Sequence, residues 1–312
     1  MSKGFQVGAL AIMTTLALWA QPGDTPKVGV LHVKGNVYLI YGAGTNITMQ
    51  VGDQVAVLVD AGPVEWSEQI RTAIRRVTSK PIGYILQTSA DASHTGGTAK
   101  LADGGFFMLE SANQSRPQAS VVAHINVLNR MTAKEAGIPS AMWPTDTYDG
   151  ADWKLYANDE PVIVEHAPAA HSDGDSIVFF RRSDVVSTGD IFDMTGYPVI
   201  DQSHGGSLQG ILDELNHILK DITVAKENEQ GGTMIIPGHG HVCDRNDLAN
   251  YRDMLSIIRD RIAALVKKGL TLEQVKAAKP TYDYDGGYGR ESGPWTTNQF
   301  IETVYRELSK KK

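Results

Sequence analysis

The 312-residue sequence contains a single cysteine, Cys243. No disulfide can form within the chain, so its stability has to come from packing. Cys243 follows His239 and His241 and could be proposed as a soft metal ligand, but a lone cysteine more often serves as a small buried apolar residue. Basic residues are not in excess either: 29 Lys and Arg stand against 36 Asp and Glu, a net charge of −7. Phosphate backbones are gripped by clustered Lys and Arg, so no nucleic-acid partner is expected. The terminal Lys310-Lys311-Lys312 run reads as a solvated tail. No internal repeat is visible.

The most apolar stretch lies at the start. Met1 to Ala20 has a short polar lead with Lys3, then Ala9-Leu10-Ala11-Ile12-Met13 and Leu16-Ala17-Leu18 around Thr14 and Thr15. That run falls short of the ~20 apolar residues of a spanning helix. It has the layout of a secretory signal peptide, with an expected periplasmic or extracellular destination and no membrane association after its removal. Leu18 stands where a smaller residue is usual, which leaves the cut open, and no cysteine follows to carry a lipid. Residues 21–27 read as a flexible lead-in.

From residue 28 the pattern alternates between strands and helices. Strands are predicted at Val28–Val33, Val37–Tyr41, Thr45–Val51, Val55–Val59, Ile82–Leu86 and Ser120–Val122. Helices are predicted at 65–78, 126–136, 207–222, 245–268 and 296–309. Pro139–Asp152 and Tyr282–Gly289 read as loops. Long loops over a sheet edge shape pockets, which makes Trp143, Tyr148 and Trp153 candidate pocket walls. Residues 28–312 are expected to form one α/β domain.

The chemistry sits in four segments. Gln87-Thr88-Ser89-Ala90-Asp91-Ala92-Ser93-His94-Thr95-Gly96-Gly97 follows an apolar strand. His171 lies in Ala169-Ala170-His171-Ser172-Asp173-Gly174-Asp175, Asp190 ends Val185-Val186-Ser187-Thr188-Gly189-Asp190, and His239 lies in Ile235-Ile236-Pro237-Gly238-His239-Gly240. Each puts one potential metal ligand in a glycine-containing turn.

The first segment resembles the T-H-x-H-x-D-H-x-G-G loop of metallo-β-lactamase-fold metallohydrolases, the group of the β-lactamases and glyoxalase II. His94 stands at the last histidine, Ser89 and Asp91 at the two leading histidines, and Ser93 at the aspartate. The other three segments follow in the family's order. The resemblance implies a four-layer αββα sandwich with a metal centre at its edge. It implies a first site of Asp91, His171 and Asp190 and a second of His94, His239 and Asp190, with Asp190 in the bridging place. Serine hydroxyls are poor ligands for divalent ions, so the second site is the better preserved. Its two-histidine, one-carboxylate set suits Zn²⁺ first, as one or two ions, and also Fe²⁺ or Mn²⁺. Asp60 is expected to orient a loop or a ligand histidine.

The implied activity is hydrolysis of a small ester, lactone, lactam or thioester substrate by metal-activated water, with Asp91 and Asp190 as the catalytic carboxylates. The loss of the loop aspartate at Ser93 predicts weak turnover of β-lactams. Two other readings stand beside it: a catalytically silent ligand-binding protein of the same fold, and an iron-dependent oxidoreductase using His94, His239 and Asp190. His204, between Ser203 and Gly205-Gly206, is a further candidate substrate contact. His124, His166 and His241 read as packing or surface residues, and Asp173 and Asp175 as turn residues. The oligomeric state is not legible.

Overall fold

Along each central strand, alternate side chains belong to different apolar clusters. In the strand 56–59, Ala56 and Leu58 face one cluster and Val57 and Val59 another. That period of two requires a sheet covered on both faces. A computed structural model describes residues 28–108, 115–224 and 231–310; the expected signal peptide, the lead-in and Lys311-Lys312 lie outside the described residues.

The elements run β1 (Gly29–Lys34), β2 (Val37–Tyr41), β3 (Ile47–Val51), β4 (Ala56–Val59), α1 (Ser67–Val77), β5 (Ile82–Leu86), α2 (Ala92–Thr95), α3 (Thr98–Ala102), β6 (Asp103–Met108), β7 (Ser115–Gln118), β8 (Ser120–His124), α4 (Ile125–Thr132) and β9 (Asp146–Tyr148). The second half continues with β10 (Asp152–Ala157), β11 (Glu160–Ala167), β12 (Asp175–Phe180), β13 (Val185–Ser187), α5 (Leu208–His217), β14 (Met234–Ile236), α6 (Arg245–Lys267), α7 (Leu272–Ala277), α8 (Asp285–Tyr288) and α9 (Thr297–Ser309). One sheet has the order β1-β2-β3-β4-β5-β8-β9, the other β10-β11-β12-β13-β14, and β6 and β7 form a separate hairpin.

Three cores define four layers. Ile70, Ala73 and Ile74 of α1 and Leu101 of α3 pack on Ile40, Leu58 and Ile85 of the first sheet. Val37, Leu39, Val57, Val59, Leu86 and Val122 from the first sheet meet Val162, Val164, Val178, Phe180, Val185 and Ile236 from the second. The other face of the second sheet presents Ile177, Val186 and Ile235. It is covered by Ile211 and Leu215 of α5, by Leu248, Tyr251, Leu255, Ile258 and Ile262 of α6, and by Phe300 and Val304 of α9. This is the αββα arrangement expected from the sequence. Asp244 accepts from the Asn246 and Asp247 amides and so starts α6 at a defined residue. Truncating one of the fully buried Leu or Ile residues to Ala would cost ~2–5 kcal/mol.

Several details depart from the sequence pattern. Within the expected loop 139–152, residues 146–148 form β9, paired parallel with β8. The helix expected to reach residue 136 ends at Thr132. Residues 218–222 continue α5 as a wider π-helical turn, and α7 and α8 are short helices within stretches not read as helical.

Topology gathers the loops. β4, β5, β8 and β9 run parallel, so their C-terminal ends lie on one edge of the first sheet. In the second sheet β13 and β14 run parallel, and the β11–β12 turn lies at their C-terminal edge because β12 runs antiparallel to β13. Backbone hydrogen bonds join the two edges: Ser176 N–H donates to Thr88 O at 2.9 Å, and Asn46 N–H to Gly238 O at 2.9 Å. The His171 turn is further clamped by the start of α5. A Cβ on Gly206 would stand 2.0 Å from His171 O, and one on Gly210 1.9 Å from Ala169 O. Only glycine permits that approach.

Candidate metal centre

Four loops from the joined edges deliver the four predicted ligand segments to one place. The β4 end contributes Asp60, whose φ of +66° is unusual for a residue with a side chain. Its carboxylate accepts from Thr88 N–H at 2.8 Å, from Thr88 Oγ1 at 2.7 Å and from His94 Nδ1 at 2.7 Å. Asp60 thus fixes both the loop after β5 and the ring of His94, the role expected from the sequence.

His94 is fully buried, and its Nε2 lies 2.9 Å from Asp190 Oδ1. His239 Nε2 lies 3.4 Å from the same oxygen, and its Nδ1 donates to Gly44 O at 2.8 Å. His171 Nδ1 donates to Val199 O at 3.0 Å, while its Nε2 lies 3.1 Å from Asp91 Oδ2. Two groups therefore form: His94, Asp190 and His239, and Asp91, His171 and Asp190, with the donor atoms in each within 4.8 Å of one another.

The donor pattern fits a divalent cation. A carbonyl oxygen can only accept, so His239 and His171 carry their proton on Nδ1, and the Asp60 carboxylate asks the same of His94. Every Nε2 is then left with a lone pair turned toward a carboxylate. Two lone pairs facing each other are unfavourable unless a proton or a metal ion stands between them. An imidazole whose far nitrogen is held by a carboxylate or carbonyl is also the usual setting of a metal-binding histidine.

The electrostatics point the same way. Burial opposes a charged His94, yet the Asp190 and Asp60 carboxylates outweigh it and hold its pKa well above the ordinary value. For His171, burial is overcome by the Asp91 hydrogen bond and the charges of Asp190 and Asp175, lifting it to about 10. His239 is raised, against burial, mainly by Asp190. Burial would raise Asp190, but the surrounding histidines hold it well below the usual carboxylate range. The cluster draws positive charge from whatever source is present.

Around Asp91 the setting differs. Its side chain is 39% exposed, and Arg130 Nη1 lies 4.0 Å from Asp91 Oδ1 and 3.9 Å from Asp201 Oδ2. Arg130 Nη2 donates to Asp173 Oδ1 at 3.1 Å. The Arg130 side chain, on α4, is only 12% exposed. Sequence reasoning missed Arg130 and Asp201, and took Asp173 for a turn residue. Asp175 does behave as one, accepting from Ser172 N–H at 2.6 Å. Nothing local marks Arg130, which sits in a helix between ordinary core positions Val127 and Met131.

The other candidates are placed as follows. Ser89 is buried and its Oγ accepts from Asp91 N–H at 3.3 Å; Ser93 is half-buried on α2. Tyr148, expected on a pocket wall, is 7% exposed in the core between the sheets, its hydroxyl 2.6 Å from Ser176 Oγ. The pairing of β9 with β8 carries it inward. Trp143 packs against Ala90, Ala123, Val127 and Met131, its Nε1 donating to Ile138 O at 3.1 Å. Trp153 is partly buried against the same inter-sheet core as Tyr148. His204 is half exposed and paired with Asp201, the carboxylate that also lies beside Arg130. His124 and His166 stack at 3.5 Å beside Tyr148. Cys243 is buried, its thiol raised to about 12 by burial and by Asp247 and Asp244.

Solved structures of two groups of enzymes are among those of similar shape. The chain is similar to the stereoselective inverting sec-alkylsulfatase Pisa1 from Pseudomonas sp., with a TM-score of 0.65 and 15% identity over 90% of this chain and 50% of that one. It spans about half the length of that alkylsulfatase. It is also similar to a metallo-β-lactamase from Pontibacter korlensis (TM-score 0.57, 15% identity, 73% of this chain and 99% of that one). The DIM-1 metallo-β-lactamase matches with a TM-score of 0.55 and 16% identity over 73% of this chain and 97% of that one. No family model matches, and no curated protein is similar in sequence. With two sheets packed face to face, helices outside both and the ligand loops on one shared edge, the chain has the metallo-β-lactamase fold.

Proposed function

We propose that the protein is a metal-dependent hydrolase whose centre is built on His94, His239 and Asp190 and takes one divalent ion, Zn²⁺ before Fe²⁺ or Mn²⁺. The observation that carries this is the orientation of the three histidines: each Nδ1 is committed to an acceptor and each Nε2 is turned toward Asp190 or Asp91. The alkylsulfatase and β-lactamase names among the structural neighbours support hydrolysis without choosing the bond. The substrate class is a small ester, lactone, lactam, thioester or sulfate ester. Met1–Ala20 supports export as a further part of this reading.

A divalent ion bound there supplies Lewis acidity toward water and toward the scissile group. The chain's own residues do the rest. Asp60 holds the His94 ring in register, and the Gly44 and Val199 carbonyls do so for His239 and His171. Asp91, half exposed beside Asp190 and His171, is the carboxylate placed to orient an attacking water and take its proton. Arg130 lies 4.0 Å from Asp91 Oδ1 on its other side. Ser93 supplies no charge where the resembled loop has an aspartate, so slow turnover of β-lactams is expected.

The test is elemental analysis of the purified protein lacking residues 1–20, with His94→Ala and His171→Ala. About one equivalent of metal, lost in His94→Ala and kept in His171→Ala, is expected. A protein that takes up no ion after reconstitution with Zn²⁺, Fe²⁺ or Mn²⁺ overturns the reading.

A further inference from the structure

A cleft of about 480 Å³ opens beside His239, within the size of sites for small molecules. One wall is the segment following Asp190, the other the loop that leads into α9. The aromatic residues Tyr288 and Trp295 line it, partly buried, together with core residue Tyr197, which is stacked on buried Phe300 at 4.8 Å. Rings held in this way present a rigid apolar surface.

Its cation is Arg290. The Nη2 of Arg290 donates to Thr195 O and Thr195 Oγ1, both at 3.2 Å, which bridges the two walls. Its backbone is pinned as well: Arg290 N–H donates to Thr297 Oγ1 at 2.9 Å, and Thr297 N–H to Arg290 O at 2.9 Å. Among the described residues Arg290 forms no salt bridge, whereas Arg130 has three carboxylates within 4.0 Å. Asp193 is the carboxylate lining the cleft, and its Oδ1 is engaged by its own loop, accepting from Thr195 N–H at 2.6 Å and Thr195 Oγ1 at 2.7 Å. A guanidinium fixed in place with no ionic partner is prepared for a planar oxyanion.

We propose that the cleft receives the non-reacting end of the substrate, a carboxylate on a short apolar or aromatic body, with Arg290 binding the carboxylate and Tyr288 and Trp295 the body. The substrate class narrows to small carboxylic acids bearing the scissile bond at the far end, next to His239. This narrowing rests on the hydrolase reading, but the binding itself does not need a metal.

The experiment separates the two. EDTA-treated protein labelled with ¹⁵N-tryptophan is titrated with 3-phenylpropanoate and with its neutral amide, and Trp295→Phe assigns the indole resonance. The carboxylate should move the Trp295 signal and bind at least tenfold more tightly than the amide. Arg290→Gln should bring the carboxylate down to the affinity of the amide, and Arg290→Lys should recover part of the difference. Equal affinities for the two probes, or a carboxylate affinity unchanged in Arg290→Gln, overturn the proposal. With Zn²⁺ restored, Arg290→Gln should raise KM for mono-4-nitrophenyl glutarate at least tenfold more than KM for 4-nitrophenyl butyrate. Binding without any ester turnover would remove the hydrolase reading and leave the cleft assignment standing; turnover without selective binding would do the reverse.

Discussion

The two halves of the candidate centre share Asp190 but differ in everything around it. On the His94 and His239 side, a buried ring is locked by Asp60 and no positive side chain approaches within ion-pair distance among the described residues. On the Asp91 and His171 side, the carboxylate is partly in water and Arg130 stands 4.0 Å away. On the proposed reading, one half takes its cation from solution, whereas the other already has one attached to the chain. A guanidinium beside a carboxylate competes with a metal ion for the same negative charge. On the proposed reading, this difference makes one site the stronger and the other the weaker.

Removing the support of the stronger half has the largest expected effect. Asp60→Ala strips the acceptor from His94 Nδ1 and from two donors of Thr88, and metal affinity should fall about ten- to a hundredfold, read by competition with a chelating dye. Unchanged affinity would mean that the Asp60 contact does not hold the ring for metal. Freeing the weaker half comes next. Arg130→Gln removes the resident cation, so a second equivalent of Zn²⁺ should bind roughly tenfold more tightly, detected by calorimetry as a second step. A single step in both proteins would erase the contrast between the halves.

The smallest effect sharpens the comparison from outside. His217, bonded to Glu165 at 2.8 Å and Asp221 at 3.0 Å, is a histidine among carboxylates outside both candidate metal groups. Burial opposes its charge, but Glu165 and Asp221 raise its pKa above 6.5. Its contribution is complete below the unfolded value of about 6.5 and disappears as pH rises through the higher folded one. The Tm of the wild type should fall slightly more than that of His217→Gln over this rise, with or without Zn²⁺. A Zn²⁺-dependent slope would show that His217 senses the centre.

The sequence carried strands β1 to β5 and β8, the ligand segments and their order, because these depend on local alternation and on turns at strand ends; β6, β7 and β10 to β12 were not read from it. Asp60 was legible for the same reason. Arg130 was not: its importance comes from Asp91, Asp173 and Asp201, which lie on three loops distant from it in the chain. Tyr148 misled because its loop hides a three-residue strand, too short to show a period, which turns the ring into the core. The Arg290 cleft needed the contact between the segment after Asp190 and the approach to α9, separated by 95 residues.

Gly206 and Gly210 press on the backbone of the His171 turn so closely that no side chain fits at either position. Metal ligands can be exchanged one at a time when a lineage changes its chemistry, as Ser89, Asp91 and Ser93 suggest beside the resembled loop. A steric contact between two main chains has no such substitutes. Distant kin of this protein should therefore be recognisable by a Gly-x-x-x-Gly spacing after the second histidine segment, even where every ligand in the first loop has drifted.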